Sequence, residues 1–185
     1  DTEHGLARVR MTLQGDFRTV TSVDVPETIT YNGKEYYVVA MGGAENEYNN
    51  QLKSISLPST LKVIEGGAFS DTQMLKDIIV RAATAPAFTS EWTGTDNSRV
   101  KVIIPNGSIN SYRLANVWSE YLLVQQTPVE INIANAETGE LEHLILEHVD
   151  YLREVNKLTI ASGTLNSTDW NVLKSMTNLI ELDIE

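Results

Sequence analysis

The sequence predicts a strand-rich α/β fold, a right-handed solenoid of short repeats with capping elements that is followed by the start of a second repeat array. Three observations predict this fold. An apolar pattern recurs along the 185 residues, proline directly follows several of its copies, and charge and polarity change near Pro128. Recurrence at a nearly constant spacing is typical of repeat architectures, so the repeat is the first feature to interpret.

The recurring pattern is apolar-x-x-apolar-x-apolar. Its first four copies begin 32, 23 and 24 residues apart, and the last two lie 24 residues apart. The copies are Val20, Val23 and Val25; Leu52, Ile55 and Leu57; Leu75, Ile78 and Val80; Arg99, Val102 and Ile104; Val155, Leu158 and Ile160; and Leu179, Leu182 and Ile184. The final two positions of each copy are two residues apart, which predicts a short strand with one buried face. Pro26, Pro58 and Pro105 directly follow three copies and would end those strands, because proline has no N–H to donate.

A single repeat of this length buries too few apolar side chains to fold alone, so the repeats must stack and their ends must be covered. At the end of the first array, Ser108 precedes a short predicted helix. Its apolar residues Ile109, Tyr112 and Val117 would cover the last strand. We therefore expect a terminal cap at this position.

The pattern begins afresh beyond Pro128. Ile131 and Ile133 indicate a strand, and a helix is expected from about Glu140 to Arg153. The apolar stripe of that helix comprises Leu141, Leu144, Ile145, Val149 and Leu152. We also expect further repeats after Glu185, because a repeat strand without a cap leaves an exposed edge.

Charge divides the chain at the same place. Residues 1–127 contain 11 basic and 14 acidic side chains, whereas residues 128–185 contain 3 basic and 11 acidic ones. The polar segment before Pro128 is typical of a linker. We therefore predict two domains: residues 1–127, a repeat domain with its terminal cap, and residues 128–185, the helix-capped start of a second array.

The best-formed repeat runs from Leu52 to Leu75 with the sequence LKSISLPSTLKVIEGGAFSDTQML. After the strand and proline come an apolar pair, a glycine turn and an Ala-Phe pair, which are Leu61 and Ile64, Gly66 and Gly67, and Ala68 and Phe69. This order resembles the BspA-like leucine-rich repeats of bacterial surface proteins, of the type found in Bacteroidetes. Thr72 stands where that family often has cysteine. The preceding unit is longer, with an Asn32-Gly33 hairpin signal and no phenylalanine after Ala44.

The resemblance extends along the chain. Residues 84–121 resemble the terminal cap of the same family, and residues 163–179 resemble the strand-to-helix crossover of a leucine-rich array. The resemblance implies a secreted or cell-surface protein that takes part in adhesion. It also implies a macromolecular ligand, which we expect to be a protein or a glycan.

Catalytic motifs are missing from the sequence, and we predict no enzyme and no catalytic, cofactor or metal site. There is no cysteine, no Gly-x-Ser-x-Gly elbow, no phosphate loop and no dinucleotide-binding glycine motif. His143 and Glu147 lie four residues apart on the predicted helix, but zinc needs further ligands and His148 faces elsewhere. Asp24 and Glu27 would serve glycoside hydrolysis only with suitable carboxylate geometry.

The net charge of −11 leaves no broad basic surface, and residues 1–127 show no basic cluster, so nucleic acid is not an expected partner. Direct membrane insertion is not expected either, because no apolar stretch approaches the length that spans a bilayer.

Aromatic side chains raise the question of a sugar-binding platform. Tyr112 and Trp118 fit the predicted cap and Trp170 fits helix packing, so we assign all three to the core. Tyr36 and Tyr37 are adjacent in a predicted strand and must point to opposite faces, so at most one of them belongs to the core.

The strand face of the first array is the expected working surface, because short parallel strands present a row of outward side chains. Alternation identifies these positions as Ser22 and Asp24, Ser54 and Ser56, Asp77 and Ile79, and Lys101 and Ile103. Ile79 and Ile103 form an apolar patch for a partner or are covered by the loop that contains Trp92. The sequence favours neither alternative.

These features support one leading hypothesis, a non-catalytic secreted or cell-surface module that binds a macromolecule, either protein or glycan, through its repeat surface. Two alternatives stay open at this point. One is a hydrolase with a site between the two arrays, and the other is a structural spacer for another domain.

Overall fold

The computed structural model describes residues 5–11, 20–43, 51–69, 72–89 and 99–185. The chain divides into two compact units, Asp1–Leu123 and Val124–Glu185. The strands are β1 (Leu6–Met11), β2 (Ser22–Asp24), β3 (Thr28–Tyr31), β4 (Lys34–Gly43), β5 (Ser54–Leu57), β6 (Val63–Ile64), β7 (Asp77–Val80), β8 (Ala87–Phe88), β9 (Lys101–Ile104), β10 (Leu122–Gln125), β11 (Glu130–Ile133), β12 (Lys157–Ile160) and β13 (Glu181–Ile184). The helices are α1 (Ile109–Arg113), α2 (Leu141–Leu146) and α3 (Ser167–Ser175).

The main sheet of the first unit contains β2, β5, β7 and β9 in chain order, with β10 beside β9. Each of these strands is one rung, and the pairs β2–β5, β5–β7 and β7–β9 are parallel. A strand-rich α/β architecture with parallel sheets of sequential strands was predicted from the repeat, and the structure confirms it. Consecutive copies of the apolar pattern lie side by side because each covers the apolar flank of the next.

The core of the first unit lies under the inward positions of these rungs. Ile55 and Leu57, Ile78 and Val80, and Val102 and Ile104 are all fully buried. The intervening side chains are only half-buried, as the alternation predicts. Leu61, Ile64, Ala68 and Phe69, which follow β5, are buried in the same core.

A second sheet of the first unit has the order β1, β4, β6 and β8, with β3 antiparallel to β4. The β3–β4 turn contains Asn32 and Gly33, both at positive φ (50° and 75°), so the predicted hairpin is confirmed. In β4, Tyr36 is buried and Tyr37 is 53% exposed, as their opposite directions require.

The end of the first array is covered by α1 and a 3-10 turn at Trp118–Glu120. Tyr112 and Trp118 are fully buried, which confirms their assignment to the core. The Tyr112 hydroxyl donates to the carbonyl of Ala82 (2.6 Å) and the Trp118 indole N–H donates to the carbonyl of Pro86 (2.7 Å). These bonds satisfy the polar atoms of two large buried rings.

Two details of this cap differ from the prediction. Ser108 holds the N-cap position of α1, but its side chain makes no capping hydrogen bond. Its backbone is helical (φ −90°, ψ −5°), whereas a capping side chain normally needs extended backbone. Val117 lies beyond α1 at φ 72° and packs against the core from the following turn.

The second unit is built on a parallel sheet in which β11, β12 and β13 follow one another. Ile131, Ile133, Leu158 and Ile160 are buried beneath α2 and α3. The predicted helix from Glu140 to Arg153 is wrong at its C-terminal end, because α2 ends at Leu146 and a separate 3-10 turn follows at Leu152–Glu154. Val149 and Leu152 of the predicted stripe pack against the core from the segment after α2, so their burial does not require a continuous helix.

Trp170 was assigned to the core, and this assignment is wrong, because 47% of the residue is exposed. The buried residues of α3 are Asp169, Val172 and Leu173. Trp170 lies outside this helical stripe, which is spaced at three and four residues.

Candidate ligand-binding face

The eight predicted surface residues lie in two rows on the outward face of the main sheet. One row contains Ser22, Ser54, Asp77 and Lys101, and the other contains Asp24, Ser56, Ile79 and Ile103. Adjacent members of a row are partners in the strand register, so their backbones lie about 4.8 Å apart. The structure therefore brings together residues that are spread over much of the first unit.

The first row changes in character along the sheet. Ser22 and Ser54 present short hydroxyl side chains, whereas Asp77 and Lys101 form an ion pair with Nζ and Oδ1 3.1 Å apart. Both charged side chains are more than one third exposed. Water screens such a pair, so its contribution to stability is small and both groups stay accessible to a ligand.

The second row is tied together by Arg81, which directly follows β7. Arg81 Nη1 donates to Asp24 Oδ1 (2.8 Å) and to Ser56 Oγ (2.6 Å), and Nη2 donates to the Val25 carbonyl (2.9 Å). Nε donates to Glu27 Oε1 at 3.1 Å. Arg81, which extends from the third rung, thus contacts groups of the first and second rungs, and Asp24 and Ser56 are already engaged by it.

Glu27 completes this network from the segment between β2 and β3. Its carboxylate accepts hydrogen bonds from the Ser59 amide (2.9 Å), the Ser59 hydroxyl (2.9 Å) and the Thr60 amide (3.2 Å). Burial raises the pKa of Glu27, but the Ser59, Thr60 and Arg81 hydrogen bonds outweigh that effect and place the pKa below its ordinary value. The hydrogen bond from Arg81 likewise lowers the pKa of Asp24.

The lowered pKa values bear on glycoside hydrolysis, a reaction for which Asp24 and Glu27 are candidate residues. The general acid of that reaction is a carboxyl group whose pKa is raised so that it keeps its proton. Asp24 and Glu27 both have lowered pKa values and both face Arg81. Neither residue therefore fits the general acid of a glycosidase.

The apolar end of the second row consists of Ile79 and Ile103, which are half-buried register partners on β7 and β9. Two occupants of the space above them were considered, a partner and the loop containing Trp92. Trp92 lies outside the residues that the structure describes. Both alternatives stay predictions.

Sequence reasoning missed a group of basic residues at the N-terminal ends of β5, β7 and β9. The Lys76 amide donates to the Lys53 carbonyl (2.9 Å), and the Lys101 amide donates to the Lys76 carbonyl (2.7 Å). Lys53 and Lys76 are exposed, as is Arg99, which lies two residues before Lys101. We name these four residues the basic edge.

The basic edge corrects the expectation that residues 1–127 contain no basic cluster. The four residues are far apart in the sequence, and the stacking of repeats brings them together. A signal for two of them was present, because Lys53 and Lys76 each follow the first leucine of a repeat.

His143 and Glu147 of the second unit are the candidate metal ligands in the sequence. His143 Nε2 lies 3.4 Å from Glu147 Oε1, and both side chains are largely exposed. In the described parts of the chain, no group of three or more His, Cys, Asp or Glu residues is placed to hold a metal ion. No helix of the same residues is long and apolar enough to cross a membrane.

The sequence of this protein matches no protein-family model and no curated protein sequence.

Proposed function

We propose that the first unit is a right-handed solenoid of BspA-like leucine-rich repeats with a terminal cap, and that the second unit begins another leucine-rich array. The burial of Leu61, Ile64, Ala68 and Phe69 supports this proposal, because the family pattern requires these apolar positions to face inward. Thr72, which replaces a frequent cysteine of the family, is also buried. Its hydroxyl donates to the Phe69 carbonyl at 2.8 Å, which satisfies its polar atom.

The same chain is proposed to be a non-catalytic module that binds a macromolecule, protein or glycan, through the outward face of the main sheet. The alignment of the eight surface residues in two rows carries this proposal. Such a face offers hydroxyl, charged and apolar groups at a regular spacing, which suits a ligand with an extended repeating surface. The family resemblance supports a location outside the cell or on its surface.

The Arg81 network supports a binding role in a second way. Its hydrogen bonds to Asp24, Ser56 and the Val25 carbonyl hold three rungs in one arrangement before any ligand arrives. Binding to a rigid face loses less conformational entropy than binding to a mobile one, so affinity per contact is higher.

This proposal is tested by measuring the binding of the purified chain and of two double variants to a microarray of host-matrix proteins and glycans. Ser22→Arg/Ser54→Arg places bulk on the first row. Thr30→Arg/Ser119→Arg makes the same chemical change at exposed positions away from the main sheet. We expect the parent chain to retain at least one ligand, the first variant to bind it at least tenfold more weakly, and the control to match the parent.

Two results would reject the proposed function: no ligand retained by the folded parent chain, or equal binding by both variants. The proposed location is tested separately by adding protease to intact producing cells. Surface exposure predicts that the protein is cleaved while a cytoplasmic marker is not. Protection of this protein together with the marker contradicts the proposed location.

A further inference from the structure

A shallow depression of about 490 Å³ lies next to the basic edge. Its lining includes Gln73, Met74, Lys76, Asp77, Arg99 and Lys101. Lys76, Arg99 and Lys101 contribute three positive charges and Asp77 one negative charge, so the depression is locally basic on a protein whose net charge is −11. The volume lies within the range of small-ligand pockets.

The charge arrangement here is unlike that of the second unit. In the second unit Lys157 lies between Glu130 and Glu181 on neighbouring strands, with Nζ 3.2 and 3.3 Å from the two carboxylates. The basic edge instead places Lys53 and Lys76 at equivalent positions of adjacent rungs, where like charges repel. Among the described residues, no carboxylate forms an ion pair with either of these two ammonium groups.

We propose that the basic edge and the adjoining depression bind an anionic polysaccharide, whose carboxylate or sulfate groups pair with Lys53, Lys76 and Lys101. This inference rests on the proposed binding function and names the ligand class for one end of the sheet. Asp77 holds the Lys101 ammonium at 3.1 Å, which positions it at the edge of the depression. Met74 is 43% exposed and offers an apolar surface to the C–H face of a sugar ring.

The lining of the depression favours a polysaccharide over an acidic peptide. Met74 and Gln73 are exposed beside Lys76 and Lys101, so an apolar surface and an amide adjoin the positive charges. A charged sugar ring combines an anionic group, hydroxyl groups and an apolar C–H face, and this combination matches the lining. An Asp or Glu side chain of a peptide offers the carboxylate without the hydroxyl groups.

Calorimetric titration of the full chain tests the proposal with defined probes. An oligogalacturonide supplies carboxylates alone, a chondroitin sulfate tetrasaccharide supplies carboxylates and sulfates, and a fully methyl-esterified oligogalacturonide is the uncharged control. We expect binding of at least one charged probe, no binding of the ester, and weaker binding as salt rises. The two charged probes together distinguish a carboxylate ligand from a sulfated one.

Two double variants of equal charge locate the site. Lys53→Glu/Lys76→Glu alters the basic edge, and Lys62→Glu/Lys174→Glu makes the same change at exposed lysines outside the main sheet. We expect affinity to fall at least tenfold in the first variant and less than twofold in the second. Circular dichroism verifies that both variants are folded, as expected for exposed side chains.

Three results would overturn this inference: neither charged probe binds, both variants weaken binding equally, or a poly-glutamate peptide binds more tightly than either oligosaccharide. The microarray experiment tests the proposed function separately. If Ser22→Arg/Ser54→Arg abolishes binding of an array ligand while the charged probes do not bind, the polysaccharide site fails and the binding function stands. If the parent chain also binds no ligand on the microarray, both the polysaccharide site and the proposed binding function are rejected.

Discussion

The Arg81 guanidinium donates to the Asp24 carboxylate at 2.8 Å although the two residues are 57 positions apart in the chain. Between them lies Ser56, whose hydroxyl accepts from the same nitrogen. This contact joins the first rung of the main sheet to the third. The packing of this face thus depends on one side chain that bridges three repeats.

Removing this side chain will destabilise the first unit. Arg81→Ala removes the hydrogen bonds that Arg81 donates to the Asp24 and Glu27 carboxylates and to the Val25 carbonyl, and we expect a loss of about 2 kcal/mol in the free energy of unfolding. Arg81→Lys keeps the charge but not the planar fork, so we expect about 1 kcal/mol. Urea unfolding measures both losses, with Lys62→Ala as an exposed control expected within about 0.5 kcal/mol. An unchanged midpoint for Arg81→Ala contradicts this role of the network.

The Arg81 network also predicts a pH dependence. The pKa values of Asp24 and Glu27 are lowered in the folded protein from ordinary values of 3.8 and 4.5. Groups of this kind contribute stability above their unfolded pKa, and the contribution is lost as pH falls through the lower folded value. Stability from the network is therefore complete above about pH 5 and declines at more acidic pH.

Thermal unfolding of the parent and of Arg81→Ala between pH 7 and pH 2 measures this dependence. We expect the parent to have the higher melting temperature at pH 7 and the difference to shrink below pH 4. A constant difference over the whole range would show that the carboxylates are not coupled to Arg81.

In the second unit, Asp169 on α3 organises the start of α2. Its buried carboxylate accepts from the amides of Gly139 (2.8 Å), Leu141 (3.2 Å) and Asn166 (2.9 Å). Burial raises the pKa of Asp169, but these amides outweigh it and lower the pKa overall. Asp169→Asn replaces one acceptor oxygen with a donor, so we expect a loss of about 2 kcal/mol. Urea unfolding followed by circular dichroism measures it, and the exposed Asp183→Asn is expected to leave stability unchanged.

Close packing of the backbone predicts a strong effect at Gly163. Gly163 has φ 128°, and a Cβ there would lie 2.0 Å from the Ala136 carbonyl oxygen. Gly33 has φ 75°, and a Cβ added there would have no atom within 4 Å. Gly163→Ala should therefore cost about 3 kcal/mol and Gly33→Ala about 1 kcal/mol. Equal losses in thermal unfolding would mean that the backbone moves away from the added methyl group.

Much of the first unit could be predicted from periodicity. The two-residue spacing of Ile55 and Leu57, and of Ile78 and Val80, predicted the buried face, and the structure agrees. The order of strands follows because consecutive repeats stack. Tyr112 and Trp118 were also assigned correctly, since large aromatic residues at the end of an array have no other apolar surface to cover.

Other features could not be predicted because they depend on distances across the sheet. Nothing in the sequence around Arg81 indicates that it contacts Asp24 and Glu27. The local sequence does not show which side chains of other repeats lie within reach of a residue. The end of α2 at Leu146 could not be predicted because the apolar stripe continues beyond it through Val149 and Leu152. Trp170 is exposed because the buried stripe of α3 runs through Val172 and Leu173.

In β5, β7, β9, β11 and β12 the sequence by itself determined which side chains face inward and which face outward, because the two-residue period of a strand is a local property. In β13 the same pattern predicted a buried face, but Leu182 and Ile184 are each 40% exposed. The tertiary structure alone decided the neighbours of those outward side chains. Register places Lys53 beside Lys76 and Ser54 beside Asp77, although each pair is separated by a whole repeat. The basic edge exists for this reason: like charges far apart in the sequence become adjacent only when apolar burial stacks the repeats that carry them.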